Sequence, residues 1–580
     1  MRKSLVFILI CALLFASGAL AVQASYTGVG AGNNGEVMVE TVLEDGVISE
    51  VRVVEHSETV GICDAAIERI PKAIVDNQTL AVDTVSGATN TSNAILAAVA
   101  SCLEQAGLNL VDYQTAVVKA DVESEVINLS TDIVVVGAGG AGLSAAVAAA
   151  EAGRNVIVLE KLAAVGGSTG MSGGALTAAT DNCEEFDEEE SEKFATWLID
   201  TAKGQGNAEI IRQVANSSNE TILWLREMGV NLTPYDYPVA GESFAIYSAY
   251  TDFEGNSISS PAYIIRQMAL RAEELGCKIL TETPAQSLAT DENGAVTGVV
   301  ATDAAGNTLN IQAGKVILAC GGFVVNQDMM IQANPKLEGV TYWNGAGNTG
   351  DGIVMATAIG AKRVFDPIGA FGIWESADFT NFPRNSSADL TYKTLIINDR
   401  GERFMNEGEP YGYQNLYRGF MLQKMDGCET FYALIDQNAF TEAGEATFQA
   451  GNAVKADTLD ELAEAIGVDA ETLKSTCARY TQLAGQEDED FGKAAEFMTG
   501  MSADPFYAIE VGPLTLSSIG GLVIDAECRI LNENSEPIEN LYGAGELVNS
   551  AIFYEKYSKS GMAVQFVITT GRIAGANAAA

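Results

Sequence analysis

Residues 134–160 constrain the fold more than any other stretch of the chain. They read Val-Val-Val-Gly137-Ala-Gly139-Gly-Ala-Gly142-Leu, continue through an alanine-rich segment, and end Val-Ile-Val-Leu-Glu160. The two β-branched runs predict buried strands, and the segment between them predicts the crossover helix that parallel strands require. A chain with this unit is committed to an α/β architecture. Each part also has a dinucleotide-binding role. Gly137 permits the tight turn, Gly139 lets the backbone approach a pyrophosphate, and Gly142 lets the helix pack closely on the sheet. N–H groups at the helix N-terminus face the phosphates, and Glu160 accepts from a ribose hydroxyl. A glycine turn by itself is a weak signal. Here the strand before it, the helix after it and the acid at the right distance favour the binding reading.

At 580 residues the chain is long enough for several domains. Its 77 acids against 33 bases give a net charge of −44. Such a surface repels nucleic acid and anionic lipid, so nucleic acid is excluded as a partner. The acid run from Glu184 to Glu192 reads as a solvated helix start. The N-terminus has Met-Arg-Lys, an apolar run from Leu5 to Phe15, then Ala-Leu-Ala ending at Ala21 and Val-Gln-Ala ending at Ala24. This predicts a signal peptide over residues 1–24, cleaved after Ala21 or Ala24, and an exported protein, secreted or at the cell surface. The apolar run is short for a membrane span. None of the nine cysteines has C-x-x-C spacing, so no zinc ribbon, iron–sulfur cluster or dithiol pair is indicated. His56 is the single histidine, so acid–base chemistry elsewhere falls to Tyr, Lys, Arg, Asp, Glu or Cys, and no histidine-rich metal site is expected.

Residues 35–55 alternate in polarity around Glu44-Asp45-Gly46, which predicts a β-hairpin. A short helix near Ala65–Ile70 follows, then Asp83-Thr-Val-Ser86-Gly87-Ala88-Thr89, then a helix capped by Thr91-Ser92 and running to Leu103. Asp83-x-x-Ser86-Gly87-Ala88-Thr89 before a helix resembles the site at which a flavin transferase esterifies FMN to a threonine hydroxyl. Such domains occur in respiratory flavoproteins and membrane electron-transfer subunits. The likeness covers about residues 27–107 and takes in His56-Ser-Glu-Thr. It implies FMN covalently bound at Thr89 and a flavin transferase as partner, with Gly87 and Ala88 leaving room for that enzyme and the phosphate. A covalent bond would retain a flavin that an exported protein otherwise loses. His56 reads as structural or as lying near the isoalloxazine. Residues 25–110 make up this domain, and 111–128 a linker.

Beyond Glu160-Lys161 come Gly166-Gly167-Ser168-Thr169 and Gly173-Gly174-Ala175. A second glycine cluster after the ribose acid suits FAD better than NAD, because backbone must approach the flavin end too. Residues 278–319 predict a β-meander, returning at Ala319-Cys-Gly-Gly-Phe323. Thr349-Gly-Asp351-Gly opens a helix, and Leu541-Tyr-Gly-Ala-Gly-Glu546 is a strand and turn that would bring Glu546 to the ribityl chain. The last helix carries Gly571-Arg-Ile-Ala-Gly575.

This order of motifs resembles the fumarate reductase/succinate dehydrogenase flavoprotein family over about residues 129–580, particularly its exported urocanate- and acrylate-type reductases. The resemblance implies an α/β fold: a Rossmann-like FAD-binding domain (129–367 and 511–580) with an inserted α+β capping domain (368–510), preceded by the small α+β FMN-binding domain. It implies non-covalent FAD held by Gly137, Gly139, Gly142, Glu160, Lys161, Gly167, Ser168, Thr169, Gly174, Asp351, Glu546 and Gly561. In that family the cap closes over the substrate, flavin N5 delivers hydride to the β-carbon of an activated C=C bond, and a protein acid protonates the α-carbon.

The chain departs from the dicarboxylate-reducing members at their carboxylate-binding and proton-donating positions. Those members place an arginine acid four residues beyond an Arg-Phe-x-Asn-Glu segment; here Arg403-Phe-Met-Asn-Glu407 is followed by Tyr411. Their histidine before a Gly-Gly-Leu strand is replaced within Ser517-Ser518-Ile519, and a later His and Arg fall on Tyr554 and Ser558. Fumarate is therefore a poor fit. Tyrosines stand instead: Tyr411, Tyr413, Tyr554 and Tyr557. Tyr557-x-x-x-Gly561 looks like the arrangement in ketosteroid dehydrogenases, where a tyrosine hydroxyl and a glycine N–H hold a ketone oxygen. Two such donors would stabilise the enolate formed on hydride addition. The expected catalytic set is Tyr411 or Tyr557 as proton donor, Tyr557 with Gly561 as clamp, and Tyr554 beside them; Lys556 and Lys559 keep a carboxylate substrate open. The function implied is reduction of the C=C bond of an unsaturated small molecule, an enone or arylacrylate. Electrons would come from an extracytoplasmic or membrane-linked donor through FMN to FAD. Two alternatives remain: a FAD-dependent dehydrogenase of a ketone-bearing ring, and an electron-transfer flavoprotein without small-molecule turnover.

Overall fold

The computed structural model describes residues 23–33, 35–58, 63–117, 124–235, 244–376, 392–408, 416–439 and 453–580. The chain divides into two compact units, one ending at Asp121 and one beginning at Val122. Residues 1–22 of the expected signal peptide, Tyr411 and Tyr413 lie outside the described residues.

In the first unit, β1 (Gln23–Ala31), β2 (Glu36–Glu44) and β3 (Val47–His56) form an antiparallel sheet in that order. The predicted hairpin turns at Asp45 and Gly46, both left-handed with φ of 52° and 85°. β1 is an additional strand, whose first residues the sequence reading assigns to the signal segment. Helix α1 (Asp64–Asn77) is longer than expected, and α2 (Thr89–Gln105) packs on β1. Gly28 and Gly30 allow this close approach: a Cβ at either would sit 2.0 Å from a carbonyl oxygen of α2, that of Ala98 or Ala94. The expected Thr91-Ser92 cap is corrected, because α2 starts at Thr89 and both residues lie within its first turn. There Thr91 donates to the buried Glu58, and Ser92 Oγ donates to the Ala88 carbonyl at 2.8 Å while accepting the Val85 N–H at 3.1 Å. Within the expected linker, the turn Leu110–Tyr113 belongs to this unit, anchored by the Tyr113 hydroxyl donating to Gly46 O at 2.9 Å.

The second unit opens with the predicted strand–helix–strand: β4 (Val126–Val136), α3 (Gly140–Glu151) and β5 (Val156–Leu159). Between β5 and the next strand of the central sheet lies α4 (Glu188–Thr201), the solvated acidic start of which is capped by Asp187, accepting the Glu190 N–H at 3.0 Å. β6 (Lys278–Leu280) pairs in parallel with β5, so the expected meander is confined to β7 (Ala285–Thr290), β8 (Val296–Thr302) and β9 (Thr308–Leu318). The order across the central sheet is β7-β8-β9-β4-β5-β6. α5 (Asp351–Thr357) follows, opened by the Thr349-Gly-Asp351 motif.

The capping region is built on a second sheet. It contains β10 (Arg363–Ser376), β11 (Leu395–Asn398), α6 (Leu416–Met425), β12 (Phe431–Asp436), α7 (Leu459–Ile466), α8 (Ala470–Gln482) and β13 (Phe506–Leu522). The borders expected at 368 and 510 fall inside β10 and β13, which pair antiparallel from Arg363↔Leu522 to Ser376↔Val511. The cap and the FAD-binding domain thus share continuous strands. Strand alternation divides the cap core in two. Phe431, Ala433 and Ile435 face Trp374 and Phe420, while Leu434 joins Leu395 and Ile397 against α7 and α8. β14 (Pro537–Gly543) returns to the central sheet beside β9, and α9 (Met562–Ala579) packs on α3.

The Arg403–Glu407 segment serves the interior of the cap. Arg403 Nη2 lies 2.7 Å from both Glu407 and Asp488, all three side chains being nearly or fully buried. Lys493, fully buried, donates to Thr394 O and the Tyr480 hydroxyl at 2.7 Å each. Burial pulls its pKa down to about 8 from an ordinary 10.5, against the charge of Glu407. In that interval the unfolded state binds more protons than the folded one, so stability rises with pH from about 8 to 10.5. The Tm of the wild type relative to Lys493→Met is therefore expected to climb across this window. A difference independent of pH would contradict the assignment.

Candidate FAD and substrate site

A cavity of about 550 Å³ opens beyond the carboxyl ends of β4 and β5, where Val136 and Leu159 line it. Open α/β sheets bind ligands at this edge. Gly137 turns the chain there with φ of 104°, and a Cβ on it would sit 2.4 Å from Ala319 O. Gly142 lies behind this turn: its Cβ would come within 1.8 Å of Gly137 O. It sets helix packing and is absent from the cavity lining, whereas Gly139 lines the cavity and has no protein atom nearer its Cβ position than 3.6 Å. Gly139 caps α3 without a side-chain hydrogen bond, leaving the helix N-terminus to present N–H groups to a ligand.

The polar groups around this turn are fixed. Glu160 accepts from the Ala138 N–H at 2.9 Å and the Leu162 N–H at 2.8 Å; burial raises its pKa, against the effect of those bonds. Lys161 Nζ donates to Asp351 at 2.6 Å and also to Thr349. Gly167 opens a single helical turn carrying Ser168 and Thr169, and Ser168 donates to Asn344. Gly174, left-handed at φ of 66°, leaves space for Pro261, whose nitrogen would lie 2.5 Å from a Cβ there. Glu546 accepts from Asn348 Nδ2 at 2.6 Å, Ser517 Oγ at 2.7 Å and the Ser518 N–H at 3.1 Å. Its burial pushes the carboxyl pKa up, opposed by those same donors. Ser517, at an expected substrate position, is thus committed to Glu546. Every expected FAD-binding residue except Gly142 lines this one cavity. Its uncapped helix N-terminus, anchored acceptor and largely apolar wall fit a dinucleotide.

The same cavity is lined by Phe371, Ile373, Leu516, Phe553, Tyr557 and Gly561. The Tyr557 ring stacks on Phe371 with centroids 4.5 Å apart and planes 7° from parallel, and packs on Phe553 at 5.3 Å. Its hydroxyl accepts the Ala563 N–H, in the first turn of α9, at 3.0 Å. Gly561 caps α9 with φ of 85°, and a Cβ there would be 2.9 Å from the Leu176 carbonyl carbon. Tyr557 and Gly561, the two expected donors of the clamp, both line the cavity, and the Tyr557 oxygen itself accepts the Ala563 N–H. Tyr554 is not among the lining residues. Glu555, left-handed at φ of 57°, turns the chain between the two tyrosines, and the Tyr554 ring faces Lys203 Nζ at 5.9 Å. Lys559 Nζ donates to Phe244 O at 3.0 Å, and Arg418 is bound to Glu555. Phe371, Phe553 and Asn348 escaped sequence reasoning. Asn348 stood beside the Thr349-Gly-Asp351 motif and could have been found there; the two phenylalanines carried no motif.

In the first unit, Thr89 is exposed at the first residue of α2, behind Gly87 with φ of 88°. An exposed hydroxyl after a left-handed glycine fits attachment of a bulky group.

Fold and site together define an FAD-dependent oxidoreductase with an N-terminal FMN-binding domain. Residues 132–561 match the FAD binding domain family and residues 31–104 the FMN-binding domain. The chain belongs to the FAD binding domain family, as a fumarate reductase-like flavoprotein. It is 32% identical to the urocanate reductase of Eggerthella lenta over 574 residues, covering 96% of this chain and 92% of that protein. An open-conformation flavocytochrome c3 fumarate reductase aligns with a TM-score of 0.60 and 25% identity over 78% of each chain. The 3-ketosteroid-Δ4-(5α)-dehydrogenase of Rhodococcus jostii RHA1 aligns with a TM-score of 0.64 and 25% identity, over 78% of this chain and 97% of that one.

Proposed function

We propose that this protein is an exported reductase of an activated C=C bond in an enone or arylacrylate-like molecule, supplied with electrons through FMN covalently bound at Thr89. The observation that carries the reading is the aromatic wall formed by Phe371, Phe553 and Tyr557 in the FAD cavity, with a phenol hydroxyl at the N-terminus of α9. Such a wall suits a planar, weakly polar substrate. When bound, FAD supplies hydride chemistry and FMN supplies the route by which electrons enter. The chain's own residues do the rest. Gly137, Gly139 and the N-terminus of α3 would hold the pyrophosphate, and Glu160 would hold a ribose. Phe371 and Phe553 fix the Tyr557 ring. The Ala563 N–H fixes the Tyr557 oxygen in the cavity wall, where the hydroxyl would donate to a substrate carbonyl and stabilise developing negative charge. With the Tyr557 proton engaged at the carbonyl oxygen, the proton for the α-carbon is assigned to Tyr411, the other expected donor. The relationship to urocanate reductase supports C=C reduction.

Three tests follow from this reading. Co-expression with a flavin transferase should add one FMN mass to the peptide containing Thr89, and Thr89→Val should abolish it. An unmodified wild-type peptide under those conditions would reject the covalent site. Export predicts a processed N-terminus. Cleavage after Ala21 leaves β1 whole, whereas cleavage after Ala24 would remove its first two residues, including the Ala24↔Leu43 pair. Val22 is the expected first residue of cell-derived protein; an intact Met1 would reject export. A second reading, dehydrogenation of a ketone-bearing ring, draws on Tyr557-x-x-x-Gly561 and the ketosteroid dehydrogenase likeness. Turnover with an oxidised dye but not a reduced one would favour it.

A further inference from the structure

Glu555 stands two residues before Tyr557 and meets two cations from remote parts of the chain. Arg418, on the cap helix α6, donates to its Oε2 from Nε at 3.0 Å and Nη2 at 2.8 Å. Lys203, just past the end of α4, donates to the same oxygen at 2.6 Å. The Glu555 N–H donates to Asp366 Oδ2 at 2.6 Å, and Asp366 Oδ1 accepts from Ile368 and Gly369 in the bulge of β10. Glu555 and Lys203 both have left-handed backbones, φ of 57° and 52°. Non-glycine residues hold this conformation only where the surroundings enforce it. Two such residues joined in one ion pair set Glu555 apart from ordinary surface pairs, which contribute little. Its side chain is 17% exposed, and although burial pushes the carboxyl pKa up, the bonds from Lys203 and Arg418 hold it below the usual range.

We propose that Glu555 is a positioning residue for Tyr557: it clasps the cap helix α6 and the end of α4 to the loop 553–561, so that seating of the cap and placement of the tyrosine hydroxyl are coupled. The inference rests on the reading of Tyr557 as the group that meets the substrate carbonyl. It assigns a purpose to Arg418 and Lys203 that does not require either to touch substrate.

The test compares Glu555→Gln, Arg418→Gln and Tyr557→Phe in the flavin-loaded enzyme. Hydrogen exchange is followed in residues 416–425 and 553–561, with α3 as internal reference. Glu555→Gln should speed exchange at least tenfold in both segments, leave α3 and FAD content unchanged, and be reproduced in part by Arg418→Gln. Tyr557→Phe should leave exchange in 416–425 as in the wild type. With reduced methyl viologen as donor and urocanate, cinnamate and cyclohexenone as acceptors, Glu555→Gln should lower kcat about tenfold with a smaller change in KM. Faster exchange in only one segment, or none, would overturn the clasp. Loss of activity in Tyr557→Phe with full kcat in Glu555→Gln would overturn the inference alone. Full kcat in both variants would remove Tyr557 from the chemistry and the clasp's purpose with it.

Discussion

Replacing Tyr557 by phenylalanine is expected to lower kcat/KM on the protein's own substrate by about 2.7–4 kcal/mol, roughly 10²–10³-fold, with FAD content unchanged. The ring is held by Phe371 and Phe553, so phenylalanine fills the same space while the hydroxyl, with its bond to the Ala563 N–H, is lost. A donor aimed at a developing oxyanion from a buried, preorganised position loses the most when removed, because water cannot enter to replace it. Tyr554→Phe is the matched control. Its ring faces Lys203 away from the cavity lining, and its removal should leave kcat/KM within about twofold, the size of an ordinary surface change. Steady-state assays with both variants and flavin quantitation after denaturation make the comparison. Full activity in Tyr557→Phe would move the donor role to Tyr411.

Two glycine substitutions separate the fold's needs from the ligand's. Gly142→Ala places a Cβ 1.8 Å from Gly137 O, a backbone atom that cannot rotate away. Helix α3 must then lift off the turn, at a cost of at least about 1–3 kcal/mol. The apoprotein Tm should fall below that of the wild type, and FAD should be lost as the turn distorts. Gly139→Ala meets nothing nearer than 3.6 Å in the protein, so the apoprotein should melt as the wild type does. Its methyl group would stand where a pyrophosphate approaches, and FAD affinity should drop. Differential scanning calorimetry of apo- and FAD-loaded forms distinguishes the two. Equal apoprotein Tm values for Gly142→Ala and wild type would contradict the packing account.

The strand–turn–helix–strand at 134–160 was legible because each of its roles imposes a local residue choice: β-branched runs, three glycines and an acid. The same holds for the hairpin at Asp45-Gly46 and for Thr349-Gly-Asp351. Features built by pairing at long range were not legible. β10 and β13 cross both expected cap borders because a strand's length is set by its partner, and no turn residue marks where one domain yields to the other. Thr91-Ser92 looked like a helix cap, yet tertiary partners at Glu58 and Val85 engage both hydroxyls within the first turn of α2. Tyr554 and Tyr557 looked alike in sequence. The left-handed Glu555 between them, at a position where glycine would be expected, sends only Tyr557 to the cavity. The Arg403–Glu407 segment serves in the sequence as a landmark for Tyr411, and its own burial with Asp488 in the cap core carried no local signal.

The measurement that bears most directly on the proposed function is anaerobic oxidation of the dye-reduced, fully flavinylated protein by a panel of acceptors: urocanate, cinnamate, cyclic enones, acrylate and fumarate. The proposed function predicts rapid reoxidation by at least one aryl- or ketone-conjugated alkene. Fumarate should be slower by powers of ten, since leaving a buried charge without its partner costs about 3–5 kcal/mol, and each 1.4 kcal/mol is a factor of ten. Fast reoxidation by fumarate, or none by any alkene in the panel, would contradict it.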